Sequence, residues 1–310
     1  MVVTVKNLVK RYKETIALDH FNMEVREGEI LGLLGPNGSG KTTAINCILA
    51  LLNFDKGEIE VFSQKMTPAS YEIKREIGIV PQEVSIFYNL TVRENIDYFC
   101  GLYIDDKAKR KQYVDEAIDF VGLKEYEKFD PKKLSGGLRR RLNIACGISH
   151  KPKLIFLDEP TVAVDAQSRN FILEGIKRLN REGSTIIYTT HYLEEAEMLC
   201  DRIIIMDKGK SLVSGTLEEL KAMISTREKI TIGFEDIEED MKERLKTIDH
   251  VLDVEKKEEQ YTINFENGRN NLSNLLDFIK EHNLVYTKLY STIPSLNDVF
   301  LELTGKELRE

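Results

Sequence analysis

The sequence predicts an α/β protein built on a buried parallel sheet, with a smaller α+β domain following it in the chain. Three observations predict this. Residues 154–157, 185–188 and 203–206 are short apolar runs without polar alternation, the pattern of strands covered on both faces. A glycine-rich stretch at residues 35–43 sits between an apolar strand and a mostly apolar helix. Around residues 221–228 the rhythm changes, and strands and helices then recur in a different order.

Taken along the chain, residues 2–9 and 21–34 read as strands, with Gly28 in a turn and residues 29–34 as a buried strand ending at Gly35. Residues 43–52 read as helix, and 58–62 and 77–80 as short strands. From 91 to about 148 the pattern is helical, interrupted near Asp130-Pro131. A turn follows the last core strand at Lys208-Gly209-Lys210. The C-terminal part reads as strand 229–234, acidic helix 237–247, strands 251–256 and 261–265, helix 272–281, strand 284–290 and final helix 295–303. That β-α-β-β-α-β order is a split βαβ, ferredoxin-like unit. It places a domain boundary near residue 224, dividing the chain into 1–223 and 224–310. Ser295-Leu-Asn-Asp offers a capping-box start to the last helix, with Asp298 where Glu or Gln is usual.

A chain of 310 residues with 42% hydrophobic and 31% charged residues supplies one large core and one small one. Its formal net charge of -8 and pI near 5.4 disfavour a role built on the nucleic-acid backbone, so no nucleic acid is expected as a partner. The four cysteines stand singly, without a C-x-x-C pair, which reads as core hydrophobes in a reducing compartment and no structural zinc. The N-terminal residues lack a signal-peptide hydrophobic region, and no apolar stretch reaches membrane-spanning length. Any membrane role is therefore expected through a partner.

Residues 35–43 are Gly35, Pro36, Asn37, Gly38, Ser39, Gly40, Lys41, Thr42 and Thr43, a match to G-x-x-x-x-G-K-[ST]. The glycines permit a tight loop whose backbone N–H groups face phosphate oxygens, and the following helix adds the positive end of its dipole. Lys41 reaches toward β- and γ-phosphates, and Thr42 offers a hydroxyl to Mg²⁺. Leu154-Ile-Phe-Leu-Asp-Glu-Pro delivers Asp158 and Glu159 at a strand's C-terminal end, where open α/β sheets place their ligands. Asp158 is a candidate Mg²⁺ holder and Glu159 a candidate general base. In Leu134-Ser-Gly-Gly-Leu-Arg-Arg-Arg, Ser135 is placed to cap a helix. Gly136 and Gly137 leave N–H groups free for a second anion.

With these motifs in place, residues 6–216 resemble the ATP-binding subunit of ATP-binding cassette (ABC) transporters, every motif standing in order. The resemblance implies a P-loop (RecA-like) core with an antiparallel β subdomain and a helical subdomain at about 84–148. Two such subunits would dimerise head to tail, each ATP lying between one phosphate loop and the partner's Ser135, Gly136 and Gly137. Leu138 departs from the family's usual Gln. Tyr12 is similar to the aromatic that stacks on adenine. Gln82 is similar to the glutamine that touches Mg²⁺ and couples to the membrane subunit. Asp165 is similar to the aspartate of the loop crossing the dimer interface, and His191 to the histidine that senses the γ-phosphate. Catalysis falls to Glu159, His191 and Lys41, and Mg²⁺ binding to Thr42, Gln82 and Asp158. Thr190-His-Tyr-Leu-Glu-Glu-Ala-Glu and the terminal Pro294-Ser-Leu-Asn-Asp-Val-Phe look like the drug- and antibiotic-resistance exporters, a group that includes lipid and ion exporters. The implied partners are membrane-spanning permease subunits and a second ATP-binding subunit. The implied location is cytoplasmic, peripheral on the inner face of the membrane. Two other readings stay open: a soluble cassette ATPase acting on nucleic acid or ribosomes, and a small-molecule kinase or GTPase. The first usually carries two cassettes or a coiled-coil insertion, and the second lacks the Leu134-Ser-Gly-Gly and His191 motifs.

Overall fold

The computed structural model describes residues 1–226, 228–235, 240–266 and 270–305. Two compact units divide between Leu217 and Glu218, ahead of the boundary expected near residue 224.

The first unit opens with strands β1 (Val3–Tyr12), β2 (Thr15–Val25) and β3 (Ile30–Leu34), then helix α1 (Lys41–Ile48), strands β4 (Lys56–Val61) and β5 (Gln64–Lys65), helix α2 (Tyr71–Arg75) and strand β6 (Ile77–Val80). Helices α3 (Val92–Gly101), α4 (Lys107–Phe120) and α5 (Gly136–Ile148) follow. After them come β7 (Leu154–Asp158), α6 (Ala166–Arg181), β8 (Thr185–Thr190), α7 (Leu193–Leu199), β9 (Arg202–Asp207) and β10 (Lys210–Gly215); helix α8 (Leu217–Lys221) starts at the boundary, its residues from Glu218 onward falling in the second unit.

The central sheet runs β10-β9-β3-β8-β7-β6, parallel throughout except for the edge strand β10. Its strands are apolar at consecutive positions because both faces are covered. Leu154 and Phe156 join the cluster formed with β1, β2 and α1, whereas Ile155 and Leu157 join the cluster of the helical segment. Successive side chains of a strand point to opposite faces, so one run fills two cores. Fully burying a residue such as Phe156 contributes about 1.5–3 kcal/mol. A second, antiparallel sheet, β2-β1-β4-β5, forms the β subdomain that the family resemblance implied.

Several local expectations shift. Strand β2 reaches back to Thr15, and β10 was not anticipated, since exposed edge strands carry polar side chains that mask their period. Helix α1 begins at Lys41 and stops at Ile48 rather than running to 52, and Ala50 then sits at φ 51°, outside the helical region. The helical stretch breaks twice. Asp106 caps α4 after the first interruption, and a 3₁₀ turn opens at Asp130-Pro131. Thr91 and Glu94 form a full capping box on α3. Cys47, Cys100 and Cys146 are buried, and burial pushes the Cys47 thiol up to about 11.

The second unit contains β11 (Glu228–Phe234), α9 (Met241–Leu245), β12 (Val251–Lys257), β13 (Gln260–Phe265), α10 (Asn271–Glu281), β14 (Tyr286–Thr292) and α11 (Leu296–Thr304). Its sheet order β12-β13-β11-β14 is antiparallel at every pairing, which is the ferredoxin-like arrangement. Ile230, Ile232, Ile263, Phe265, Leu275 and Phe278 build its core. The Ser295–Asp298 capping box is present on α11. Residues 237–239 of the expected acidic helix, and most of the acidic stretch 235–240, lie outside the described residues. Among the described residues, no helix is long and apolar enough to cross a membrane.

Candidate nucleotide site

The parallel register decides which residues meet. Leu34 pairs with Thr190, Thr189 with Asp158, and Leu157 with Val80. The C-terminal ends of β3, β8, β7 and β6 therefore align. The segments that follow them begin at Gly35, His191, Glu159 and Pro81 on the same edge of the sheet. Four stretches far apart in sequence thus supply one site.

Gly35, Pro36, Asn37, Gly38, Ser39 and Gly40 form the loop between β3 and α1. Gly40 is the N-cap of α1 at φ 106°, and a Cβ there would lie 2.6 Å from the Ala17 carbonyl of β2. Only glycine meets both demands. Ser39 is buried, and its hydroxyl has no hydrogen-bond partner among the described residues. An unpartnered polar atom costs free energy unless a ligand satisfies it, so the loop fits a phosphate. Lys41 Nζ donates to the carbonyls of Gly35 at 2.8 Å and Pro36 at 3.2 Å, and lies 3.5 Å from Glu159 Oε1. Burial pushes its pKa down while Glu159 and Asp158 hold it up. Thr42 and Thr43 open the helix.

Thr42 Oγ1 donates to Asp158 Oδ2 at 2.9 Å. A hydroxyl beside a carboxylate is the hard-oxygen donor set that suits Mg²⁺. Gln82 Nε2 instead donates to Glu159 Oε2 at 3.0 Å, so the structure brings Gln82 to the glutamate rather than to the Thr42–Asp158 pair. His191 Nδ1 lies 3.5 Å from Glu159 Oε1. The Glu159 side chain is thus surrounded by Lys41, Gln82 and His191. Its backbone sits at φ 46°, a left-handed conformation that costs a non-glycine residue on the order of 1–3 kcal/mol and clusters at functional sites.

Two residues of this site escaped the sequence reading. Thr189 Oγ1 donates to Asp158 Oδ1 at 2.6 Å and accepts from the Glu159 N–H at 2.9 Å, tying both carboxylate residues to β8. Glu195 Oε2 accepts from Tyr188 at 2.6 Å, Thr161 at 2.8 Å and Thr190 at 3.1 Å, linking the segments around His191 and beyond Glu159. Thr189 has no local motif, and Glu195, though inside the string Thr190-His-Tyr-Leu-Glu-Glu-Ala-Glu, was given no role there. Only strand register and helix packing bring them in.

Ser135 caps α5, its Oγ accepting from the Leu138 N–H at 3.3 Å. Leu138 is partly buried against the core of the helical segment, which accounts for an apolar side chain at that position. Gly137 abuts α6, and a Cβ there would lie 2.2 Å from Ser168 Oγ. Gly136 stands beside it in the first turn of α5. Asp165 caps α6 through Ser168 N at 2.8 Å, a bond that holds its carboxyl below the usual range. Ser135, Gly136, Gly137 and Asp165 form their own cluster, separate from the carboxylates around Lys41. Tyr12 is exposed near the β1–β2 turn, with Lys10 Nζ 5.1 Å from its ring centroid. Strand β2 links it to the loop, since Ala17 and Leu18 lie against Gly40.

Comparison with known proteins agrees with this arrangement. The family described as "ABC transporter" matches residues 18–162, and "ATP-binding protein DrrA1-3-like, C-terminal domain" matches residues 215–304. The linearmycin resistance ATP-binding protein LnrL of Bacillus subtilis is 36% identical over 307 residues, covering 98% of this chain and 99% of that protein. The daunorubicin resistance ATP-binding protein DrrA3 of Streptomyces coeruleorubidus is 36% identical over 71% of this chain and 70% of its own length. Among solved structures, the dimeric post-hydrolysis state of the ATP-binding cassette MJ0796 with ADP and Pi superposes with a TM-score of 0.64 at 29% identity. It covers 69% of this chain and 98% of that one. The chain belongs to the ATP-binding subunits of ABC transporters, and it is an ATPase.

Proposed function

We propose that this ATPase powers export of a drug, antibiotic, lipid or ion through separate membrane permease subunits, with Glu159 as the general base of hydrolysis. The observation that carries the catalytic part is the Glu159 carboxylate held between Gln82, His191 and Lys41 at the strand ends. The export part is supported by the names of the relatives, two of which are resistance proteins for linearmycin and daunorubicin.

Lys41 and the N–H groups of residues 35–43 offset charge on the γ-phosphoryl group, in a setting where water is scarce and charges act strongly. Thr42 and Asp158 would hold Mg²⁺, and Gln82 keeps its contact with Glu159. The ion would neutralise phosphate oxygens when bound. An arriving γ-phosphate competes with Glu159 for Lys41, which frees the carboxylate to accept a proton from water. His191 orients that same carboxylate or the phosphate beyond it. Tyr12 offers its exposed ring to adenine. Ser135 with the first-turn N–H groups of α5 would serve the ATP held by a second ATP-binding subunit, with Asp165 at the crossing between the two. Hydrolysis is then linked to dimerisation and, through the helical segment 84–148, to permease subunits at the inner face of the membrane.

In a Glu159→Gln protein, ATP still binds and turnover falls by about 10²–10⁴-fold, the range of a general base. Single-turnover hydrolysis beside equilibrium binding measures both, and turnover near the original rate sinks the assignment. Co-purification with a polytopic membrane protein tests the transporter reading separately.

A further inference from the structure

We propose that Arg140 is a positioning residue for hydrolysis, setting Glu159 and the Gln82 loop against the helix that Ser135 caps. The proposal rests on the reading of Glu159 as base.

Arg140 lies in α5, one turn beyond its Ser135 cap, and is 2% exposed. A guanidinium carries five N–H bonds in a fixed fork, and here every one meets a backbone carbonyl. Nε donates to Pro160 at 2.8 Å. Nη1 donates to Pro81 at 2.9 Å and Gln82 at 2.7 Å. Nη2 donates to Glu159 at 2.5 Å and Asp158 at 3.3 Å. The acceptors belong to two segments only, those leaving β6 and β7, and the five bonds fasten both to one plane. None of the five is a side-chain carboxylate. A buried cation with no counterion in contact is expensive to maintain for packing alone.

The position of the fork gives it a task. Glu159 stands in the left-handed region, and its peptide is gripped from both sides: Thr189 takes its N–H and Arg140 its carbonyl. Gln82, whose side chain donates to the Glu159 carboxylate, has its own carbonyl on the same guanidinium. Arg140 therefore fixes the distance between the two partners without touching either side chain. Because it is anchored on α5, a movement of that helix is carried directly to the base. Lysine offers at most three donors from a single point, and glutamine two, so neither reproduces the fork.

The test compares Arg140→Lys and Arg140→Gln with the unmodified chain for ATP dissociation constant, kcat, KM and melting temperature. It adds Arg140→Gln in a Glu159→Gln background. A group that positions the base costs kcat, about 10²-fold for a displacement near 1 Å, while ATP affinity and KM change by less than about threefold. In the Glu159→Gln background the same substitution moves the residual rate by less than about threefold, because the group it positions is already gone. The proposal is overturned by a folded Arg140→Gln protein with kcat within about twofold of the original. It is equally overturned by a full, independent loss in the Glu159→Gln background. If Arg140→Gln does not fold, Arg140→Lys decides: unchanged kcat overturns the proposal, and a kcat loss at unchanged KM supports it. If neither folds, Arg140 is a structural anchor and the proposal falls. Failure of the base assignment is recognised separately, by undiminished turnover in the Glu159→Gln protein alone.

Discussion

Replacing Thr189 by valine keeps the volume of a fully buried side chain and removes its hydroxyl. The hydroxyl donates to Asp158 Oδ1 at 2.6 Å, a bond to a carboxylate of the kind that contributes about 1.5–3 kcal/mol. The Glu159 N–H loses its acceptor at 2.9 Å but keeps the Thr189 carbonyl at 3.2 Å, so that half of the loss is small. Asp158 retains Thr42 on its other oxygen. Thr189→Val should therefore cost about 2 kcal/mol in urea unfolding. Freed on one side, the two carboxylate residues shift, and kcat should fall by about 10–100-fold. Thr189→Ser is the complementary change. It keeps the hydroxyl and deletes one buried methyl, costing about 1 kcal/mol in stability with kcat nearly intact. Steady-state ATPase rates beside unfolding midpoints separate the two effects. A Thr189→Val protein with unchanged kcat and midpoint, or a Thr189→Ser protein as slow as the valine, would refute the reasoning.

Two further outcomes follow from other parts of the first unit. His150 is buried, stacks on Tyr103 with centroids 3.8 Å apart and contacts the Ile77 carbonyl at 3.0 Å, and burial pushes its pKa down to about 4. The unfolded chain, with an ordinary value of 6.5, binds the proton first. Stability from this residue is thus complete above pH 6.5 and is lost as the pH falls toward 4, by about 3 kcal/mol in all. His150→Phe should flatten that part of the stability–pH curve, and an unchanged slope in urea titrations between those values contradicts the assignment. Gly137→Ala places a Cβ 2.2 Å from Ser168 Oγ and 2.8 Å from Ser168 Cβ. It should destabilise by about 1–3 kcal/mol, and Ser168→Gly should restore most of the loss; a melting temperature equal to that of the parent chain shows that α5 and α6 separate freely there.

Much of the site was legible because its chemistry is written in short strings of fixed spacing. Gly35 to Lys41 need only each other to form a phosphate loop, and Asp158 and Glu159 need only the end of an apolar strand. The doubly apolar runs at 154–157 and 185–188 gave away the parallel sheet for the same local reason. The parts that stayed hidden are set across the sheet. Thr189 earns its role from the register that seats it opposite Asp158, and Arg140 from carbonyls about 20 and 60 residues away in sequence. The hydrogen bond from Gln82 to Glu159 was not anticipated either, since a loop residue's partner depends on the direction of the chain beyond β6. Edge strands β2 and β10 were shortened or missed because solvent on one side leaves their composition mixed.

The strand order also governs when the protein becomes competent. Strand β3 emerges early in synthesis, yet both of its neighbours, β8 and β9, lie more than 150 residues further on. The phosphate loop is therefore complete as a string long before it is held in place, and the non-local pairing that seats it is slow by nature. Nucleotide bound by the finished sheet engages both early and late segments at once, so it stabilises the closed topology as a whole. At a free concentration 100 times its dissociation constant, it adds about 2.7 kcal/mol to the folded state. Removing nucleotide should therefore lower the unfolding midpoint of the subunit as well as stop its turnover.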